Sequence, residues 1–479
     1  MPKPQILLSL VLAACASAPG YRAPSVQVPA DFRETRDTII RTPASGTPIA
    51  DAGTWPQVGD TTLERLIKQG VGANLDVRAA VARVRGARAA RTEAAFDLAP
   101  TVTFGGGYTR QRLSSAAFPI GIGSFPDQDI WDGGFDAAWE LDLFGRVRHN
   151  VQAQGAFVAA SQEDLRDARV TLTAELARNY FELRGAQEQL TVAHQNAGNQ
   201  QSTLKLTRER LDAGRGTAFD TERALAQLSF TLASVPTLEA RVREAEYAIG
   251  VLVGRPPAAV AQELGAVAPL PQLPAEVSVA SPDSVVRRRP DVRAAERQLA
   301  VERALVGAAK ADYLPRISVG GSAGYTASSF DALGDRGTFR YAVGPIITWP
   351  ALNLGRVKAR VDLSHAREAE AQAQYDGTVL RALQEVETAL VRYRTSRASV
   401  QRIQEAASAS ERAAELARLR FSGGVSDFLQ VLDAERTQLE AQDQLAQART
   451  DAATAFAALY KALGGAWPVT GAQGITAPE

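Results

Sequence analysis

Shifted against itself by 210 residues, the chain matches itself. Gly145-Arg146-Val147 falls on Gly355-Arg356-Val357, Arg210 on Arg420, Gly214 on Gly424, Ala224 on Ala434 and Gly254 on Gly464, with no gap between them. Such a duplication constrains the fold more tightly than the length of 479 residues does, because it asks for two structural copies in one body. Neither copy has a proline between its Gly-Arg-Val and Val235 or Gly464, so nothing breaks a helix before the turns at Gly214 and Gly424. From Gly145 to Asp212 that helix is about 100 Å long at roughly 1.5 Å per residue. Helices in globular domains rarely exceed about 25 residues, and longer ones imply coiled coils, spans or repeats.

Composition removes several classes. Basic and acidic residues both number 53, so the formal net charge is zero and nucleic acid is not an expected partner. Lysine occurs only at positions 3, 68, 205, 310, 358 and 461, and the many arginines are interleaved with acids along the helices, as on solvated faces. Cys15 is the one cysteine, which leaves no internal disulfide and no cysteine zinc site. Beyond the N-terminus no run of eighteen apolar residues exists, so membrane residence would need a closed β-barrel or a lipid. His149, His194 and His365 are scattered along helices, and no nucleophile elbow, phosphate loop or His-Glu-x-x-His helix occurs. No catalysis, cofactor or metal site is expected.

Lys3, the apolar run Ile6 to Ala14 and Cys15 form a secretory signal, residues 1–14. Leu12-Ala13-Ala14-Cys15 resembles a bacterial lipobox, which implies that Cys15 becomes the lipidated first residue, and Ala16 after it suits outer-membrane sorting. Residues 15–60 are rich in Pro, Thr and Ser without periodicity and read as an extended segment. Repeat 1 spans 61–254: a helix over 61–97, a β-hairpin over 101–142 and a helical hairpin over 143–254. Repeat 2 spans 283–464, with its β-hairpin at 316–350 and its helical hairpin at 353–464. Asp76-Val77-Arg78-Ala79-Ala80 returns as Asp291-Val292-Arg293-Ala294-Ala295 at an offset of 215. A Pro-rich linker, 255–282, joins the repeats, and 465–479 is a tail.

Trp131, Phe135, Ala137, Trp139 and Leu141 alternate with Asp132, Asp136, Glu140 and Asp142. A soluble sandwich would also alternate. However, Trp131 and Trp139 would stand about 26 Å apart, near the height of an outer-membrane apolar band with aromatic girdles. If the aromatics face lipid, the four acids face a lumen. Four strands cannot close a barrel, since single-chain outer-membrane barrels start at about eight; three copies would supply twelve. On the first returning helix, Leu225, Leu228, Leu232, Val235, Leu238, Val242, Ala245, Ile249 and Leu252 recur at coiled-coil spacing.

Taken together, the lipobox, the two copies, Trp139-Glu140-Leu141-Asp142-Leu143-Phe144-Gly145-Arg146, Gly344-Pro345 to Trp349-Pro350 with Leu354-Gly355-Arg356, and Arg287-Arg288-Arg289-Pro290-Asp291-Val292-Arg293-Ala294-Ala295-Glu296 resemble the TolC-like outer membrane efflux factors, in their lipoprotein (NodT-like) branch. The likeness covers essentially the whole mature chain. It implies a mainly α protein with a membrane β-barrel: a homotrimer with a twelve-stranded barrel, and an α-helical barrel across the periplasm. Its partners would be outer-membrane lipid, a periplasmic adaptor and an inner-membrane pump, and its cargo drugs. The same architecture could serve metal-ion export, and a different class of reading is a lipid-anchored coiled-coil scaffold.

The resemblance also gives roles to residues. The turns at Gly214 and Gly424, with Arg210 and Arg420 beside them, fall where family members meet the adaptor, although glycine at a turn already has a structural reason. Asp220, Arg223, Leu429, Asp433 and Arg436 fall at the periplasmic gate, where three-fold symmetry would bring Leu429 and Asp433 to the axis. The plainer reading of Asp220 with Arg223 and of Asp433 with Arg436 is an ordinary i, i+3 ion pair.

Overall fold

The computed structural model describes residues 28–36, 40–41, 58–114, 126–274 and 277–465; the expectations for residues 1–14, for Cys15 and for the tail beyond Gly465 lie outside them. The first half of the chain contains α1 (Thr61–Ala73), α2 (Leu75–Phe96), β1 (Thr101–Gln111), β2 (Gln128–Leu141), α3 (Arg146–Asp212) and α4 (Ala218–Leu252). A short helix, α5 (Pro257–Leu264), follows. The second half contains α6 (Pro282–Arg288), α7 (Pro290–Ala311), β3 (Arg316–Ala327), β4 (Phe339–Thr348), α8 (Leu354–Ser422) and α9 (Phe428–Ala462). The two long helices have 67 and 69 residues. Among the described residues the chain divides into two units. One is formed by Ala82–Gln162 with Ala294–Asp376, the other by residues up to Val81, Glu163–Arg293 and residues from Gly377.

The helix expected over 61–97 is in fact two, broken at Asn74, whose ψ is 136°. The Asn74 side chain explains the break. Its Oδ1 accepts from the N–H groups of Asp76 and Val77 at 2.9 and 3.0 Å, capping α2, while its Nδ2 donates to the Leu252 carbonyl at 3.0 Å. In the second copy Arg289 holds the equivalent place, with ψ 125°, and its Nη1 donates to the Ala462 carbonyl at 2.8 Å. Leu252 and Ala462 are the last residues of α4 and α9. Both copies therefore bend where a buried side chain ties the first helix to the end of the returning one. Gly254 follows that end with φ +69°, and a Cβ there would lie 2.6 Å from the Ala73 carbonyl oxygen.

The linker is more ordered than its prolines suggest. Pro257 opens α5 at a position that needs no N–H, and Val260 and Leu264 are fully buried. Ile40–Arg41 pairs in parallel with Val277–Ser278, and nearby in sequence Phe32 is buried while Glu34 meets Arg394 at 3.0 Å. In the same unit, Tyr180, Phe181, Leu176 and Leu183 of α3 are fully buried. The Tyr180 hydroxyl donates to Asp60 Oδ2 at 2.6 Å, and Asp60 Oδ1 caps α1. Burial first, and then that hydrogen bond, pushes the Tyr180 hydroxyl up to about 12.

Candidate functional site: a one-sided sheet and two helical tips

The four strands form one antiparallel sheet in the order β1-β2-β3-β4, so β1 and β4 are its edges. Register puts like residues on like faces. Phe104 lies opposite Phe135, Tyr108 opposite Trp131, Trp139 opposite Val319, Ala323 opposite Tyr341 and Tyr325 opposite Phe339. All of these share one face, and most stand exposed. Their rings touch: Phe104 and Phe135 have centroids 5.2 Å apart, Tyr108 and Trp131 4.6 Å, Tyr325 and Phe339 5.6 Å. Trp139 Nε1 donates to the Leu98 carbonyl at 3.0 Å, and Trp349 Nε1 to the Tyr313 carbonyl at 3.1 Å, the same tie made once per copy. Pro345, unusual inside a strand, sits on edge strand β4, where proline is tolerated.

The opposite face carries Thr101, Thr103, Asp136, Ser322, Thr326 and several glycines. Of the four predicted lumen acids, the structure leaves one without a cation. Asp132 meets Arg340 at 2.6 Å and accepts from the Thr326 hydroxyl, and Glu140 meets Arg146 at 2.6 Å. Asp142 lies beyond the end of β2 and is not a strand residue. It accepts from the N–H groups of Val147 and Arg148, an anion at the N-terminus of α3, and pairs with the Arg148 side chain. Asp136 makes no ion pair among the described residues.

The helical tips form the second part of the site. Ala197, Leu204, Ala224, Leu228, Phe421, Phe428 and Val431 make a common core from α3, α4, α8 and α9. Arg210 and Arg420, paired in the sequence reading, behave differently. Arg210 is part-buried, donates through Nη2 to the Phe421 carbonyl at 2.7 Å and stacks on the Phe421 ring at 4.1 Å, so it caps the far end of the other copy's long helix. Arg420 is exposed. Gly214 and Gly424 have φ +70° and +76°.

On α9, Leu429, Asp433 and Arg436 share the exposed side, with Asp433 and Arg436 3.7 Å apart, while Phe428, Val431 and Glu435 are buried. Asp220 does not pair with Arg223. It belongs to the N-cap of α4: Thr217 Oγ1 accepts from the Asp220 N–H at 3.1 Å and donates to Asp220 Oδ2 at 2.7 Å. Arg223 lies over the Phe219 ring, 5.4 Å from its centroid. The sequence reading missed Glu435, which is 2% exposed, accepts from Thr203 Oγ1 at 2.8 Å and pairs with Arg418 at 2.8 Å. Its signal was its place two residues after Asp433, on the opposite side of the helix.

The chain thus combines a sheet with one exposed apolar face and two copies of a very long helical hairpin. A family profile described as outer membrane efflux protein matches residues 66–255 and 282–465. The chain is 27% identical over 475 residues to nodulation protein T of Rhizobium leguminosarum bv. trifolii, spanning 98% of each chain. It is 30% identical over 463 residues to outer membrane protein OprJ of Pseudomonas aeruginosa, spanning 96% of this chain and 95% of that one. The solved structure of the outer-membrane channel OprN superposes with a TM-score of 0.87 at 36% identity, covering 94% of this chain and 99% of that one. The chain therefore belongs to the outer membrane efflux protein family, and its location is the outer membrane. The scaffold reading falls with that assignment.

Proposed function

We propose that three copies of this chain join their sheets edge to edge into a twelve-stranded barrel, through which drugs or other small molecules leave the cell. The observation that carries the proposal is the sheet itself: an exposed aromatic face that lipid would cover, a polar face of Thr, Ser, Gly and Asp, and two edges whose backbone groups need partners. The chain has no phosphate loop, so the work of uphill export comes from an inner-membrane pump, handed on by a periplasmic adaptor that meets the turns at Gly214 and Gly424. Arg420 is free to take part in that contact, whereas Arg210 acts inside the tip. Leu429, Asp433 and Arg436 line the periplasmic aperture, with Asp220 and Arg223 beside it; Asp220 acts there chiefly by fixing the start of α4. Lipidation at Cys15 holds the chain to the membrane. Asp136 carries the uncompensated charge of the lumen, and its three copies form a weak cation-selective ring. Purified protein in mild detergent is expected to have the mass of a trimer and to give discrete conductance steps in planar bilayers. A monomer that never conducts would end the proposal.

A further inference from the structure

Within its four strands, the polar face of the sheet carries five charged residues: Asp132, Asp136, Glu140, Arg316 and Arg340. Glu140 and Arg316 are cancelled from outside the strands, by Arg146 and Asp312, at 2.6 Å each. Asp132 and Arg340 cancel each other. Their pairing spans three strands, because Arg340 on β4 reaches past β3 to Asp132 on β2 and donates on the way to Thr326 Oγ1 at 2.9 Å. At 2.6 Å the separation is short against a screening length of about 10 Å at 0.1 M salt, so an ion passing this face meets almost no net charge there. Asp136, four residues further along β2 and so about 13 Å away, lies outside that cancellation.

The surroundings of Arg340 set it apart from the other pairs. Register puts Gly105, Gly134 and Gly324 in one row across β1, β2 and β3, and the fourth place in that row is Arg340. Gly134 and Gly324 have a packing reason, since a Cβ on either would come within 2.8 Å of the other's Cα. Gly105 has none, and neither has Gly107, which lies opposite Asp132 in the next row: a Cβ at either would touch nothing within 4 Å among the described residues. Glycine weakens a strand interior, so a row this bare costs the sheet stability and leaves the wall clear of side chains. Arg340 is the one side chain of its row, and its Nη1 makes no hydrogen bond among the described residues. With 41% and 40% of their side chains exposed, Arg340 and Asp132 add little to stability by pairing, and stability alone does not account for them.

We infer that Arg340 is a charge-selecting residue of the lumen wall, held in check by Asp132, and that this pair determines how the channel ranks anionic against cationic solutes. The inference rests on the barrel proposed above, which turns this face to the lumen. An uncancelled Arg340 draws anions onto the bare strip, and an uncancelled Asp132 draws cations. Reversal potentials across a potassium chloride gradient, measured in an Asp136→Asn background, read the pair by itself. Adding Asp132→Asn is expected to lower the cation-to-anion permeability ratio roughly twofold, and adding Arg340→Gln to raise it roughly twofold. Adding both returns it close to the background value. Arg340→Lys keeps the charge and should leave the ratio at that value, whereas a purely structural role would treat Lys and Gln alike. Should one neutral variant fail to form channels, the other decides by itself. Conducting channels in which neither variant shifts the ratio, or both shift it the same way, overturn this inference and leave the barrel standing. A parent protein that never conducts overturns both.

Discussion

At the scale of single residues, the arginine pair at the tips shows how position overrides identity. Arg210 and Arg420 occupy equivalent places in the duplicated sequence, yet among the described residues only Arg210 caps a helix end of its own chain. A charged hydrogen bond and a cation–π contact together hold that end, so Arg210→Ala is expected to loosen the tip by about 1–3 kcal/mol. Hydrogen exchange at Phe421 to Val425 would report this as roughly tenfold faster opening. Tyr180 offers a test of a different kind. Its folded pKa of about 12 lies above the ordinary tyrosine value, so the stability it contributes is fully present below pH ~10 and is lost as pH rises through about 12. Unfolding midpoints measured across that window should fall for the parent, and fall less steeply for Tyr180→Phe.

At the scale of elements, the strands and the long helices were legible in the sequence, and the bends were not. Alternation over 101–111 and over the second strand matches Thr101–Gln111 and Gln128–Leu141, because a pleat with one apolar face enforces period two wherever it lies. The break at Asn74 went unread since a lone asparagine in a helical pattern looks like an exposed polar residue. Only the carbonyl of Leu252, distant in sequence, makes it a joint. At the matching site the bend falls at Arg289, the residue before Pro290, where proline disfavours the helical region. Asn74→Asp keeps the cap on α2 but cannot donate to Leu252, and is expected to cost about 1–2 kcal/mol; Asn74→Ala, which loses both, should cost about 2–3 kcal/mol. Thermal unfolding of the two variants beside the parent checks the order.

At the scale of the whole molecule, charge pairing decides how selective the lumen of the proposed barrel can be. Four free acids would have made a strongly cation-selective lumen, but Asp132 and Glu140 are neutralised by arginine and Asp142 is occupied by a helix end. Asp136→Asn should therefore bring the cation-to-anion permeability ratio, measured from reversal potentials across a salt gradient, close to one. Asp142→Asn should leave it nearly unchanged. The sequence alone determined the duplication, the two long helices and the two faces of the sheet, since these follow from periodicity and the absence of helix breakers, which are local properties. The partners of each polar side chain were decided only by the tertiary structure. Which arginine reaches which carboxylate, and which asparagine reaches which carbonyl, depends on how segments tens or hundreds of residues apart are brought side by side.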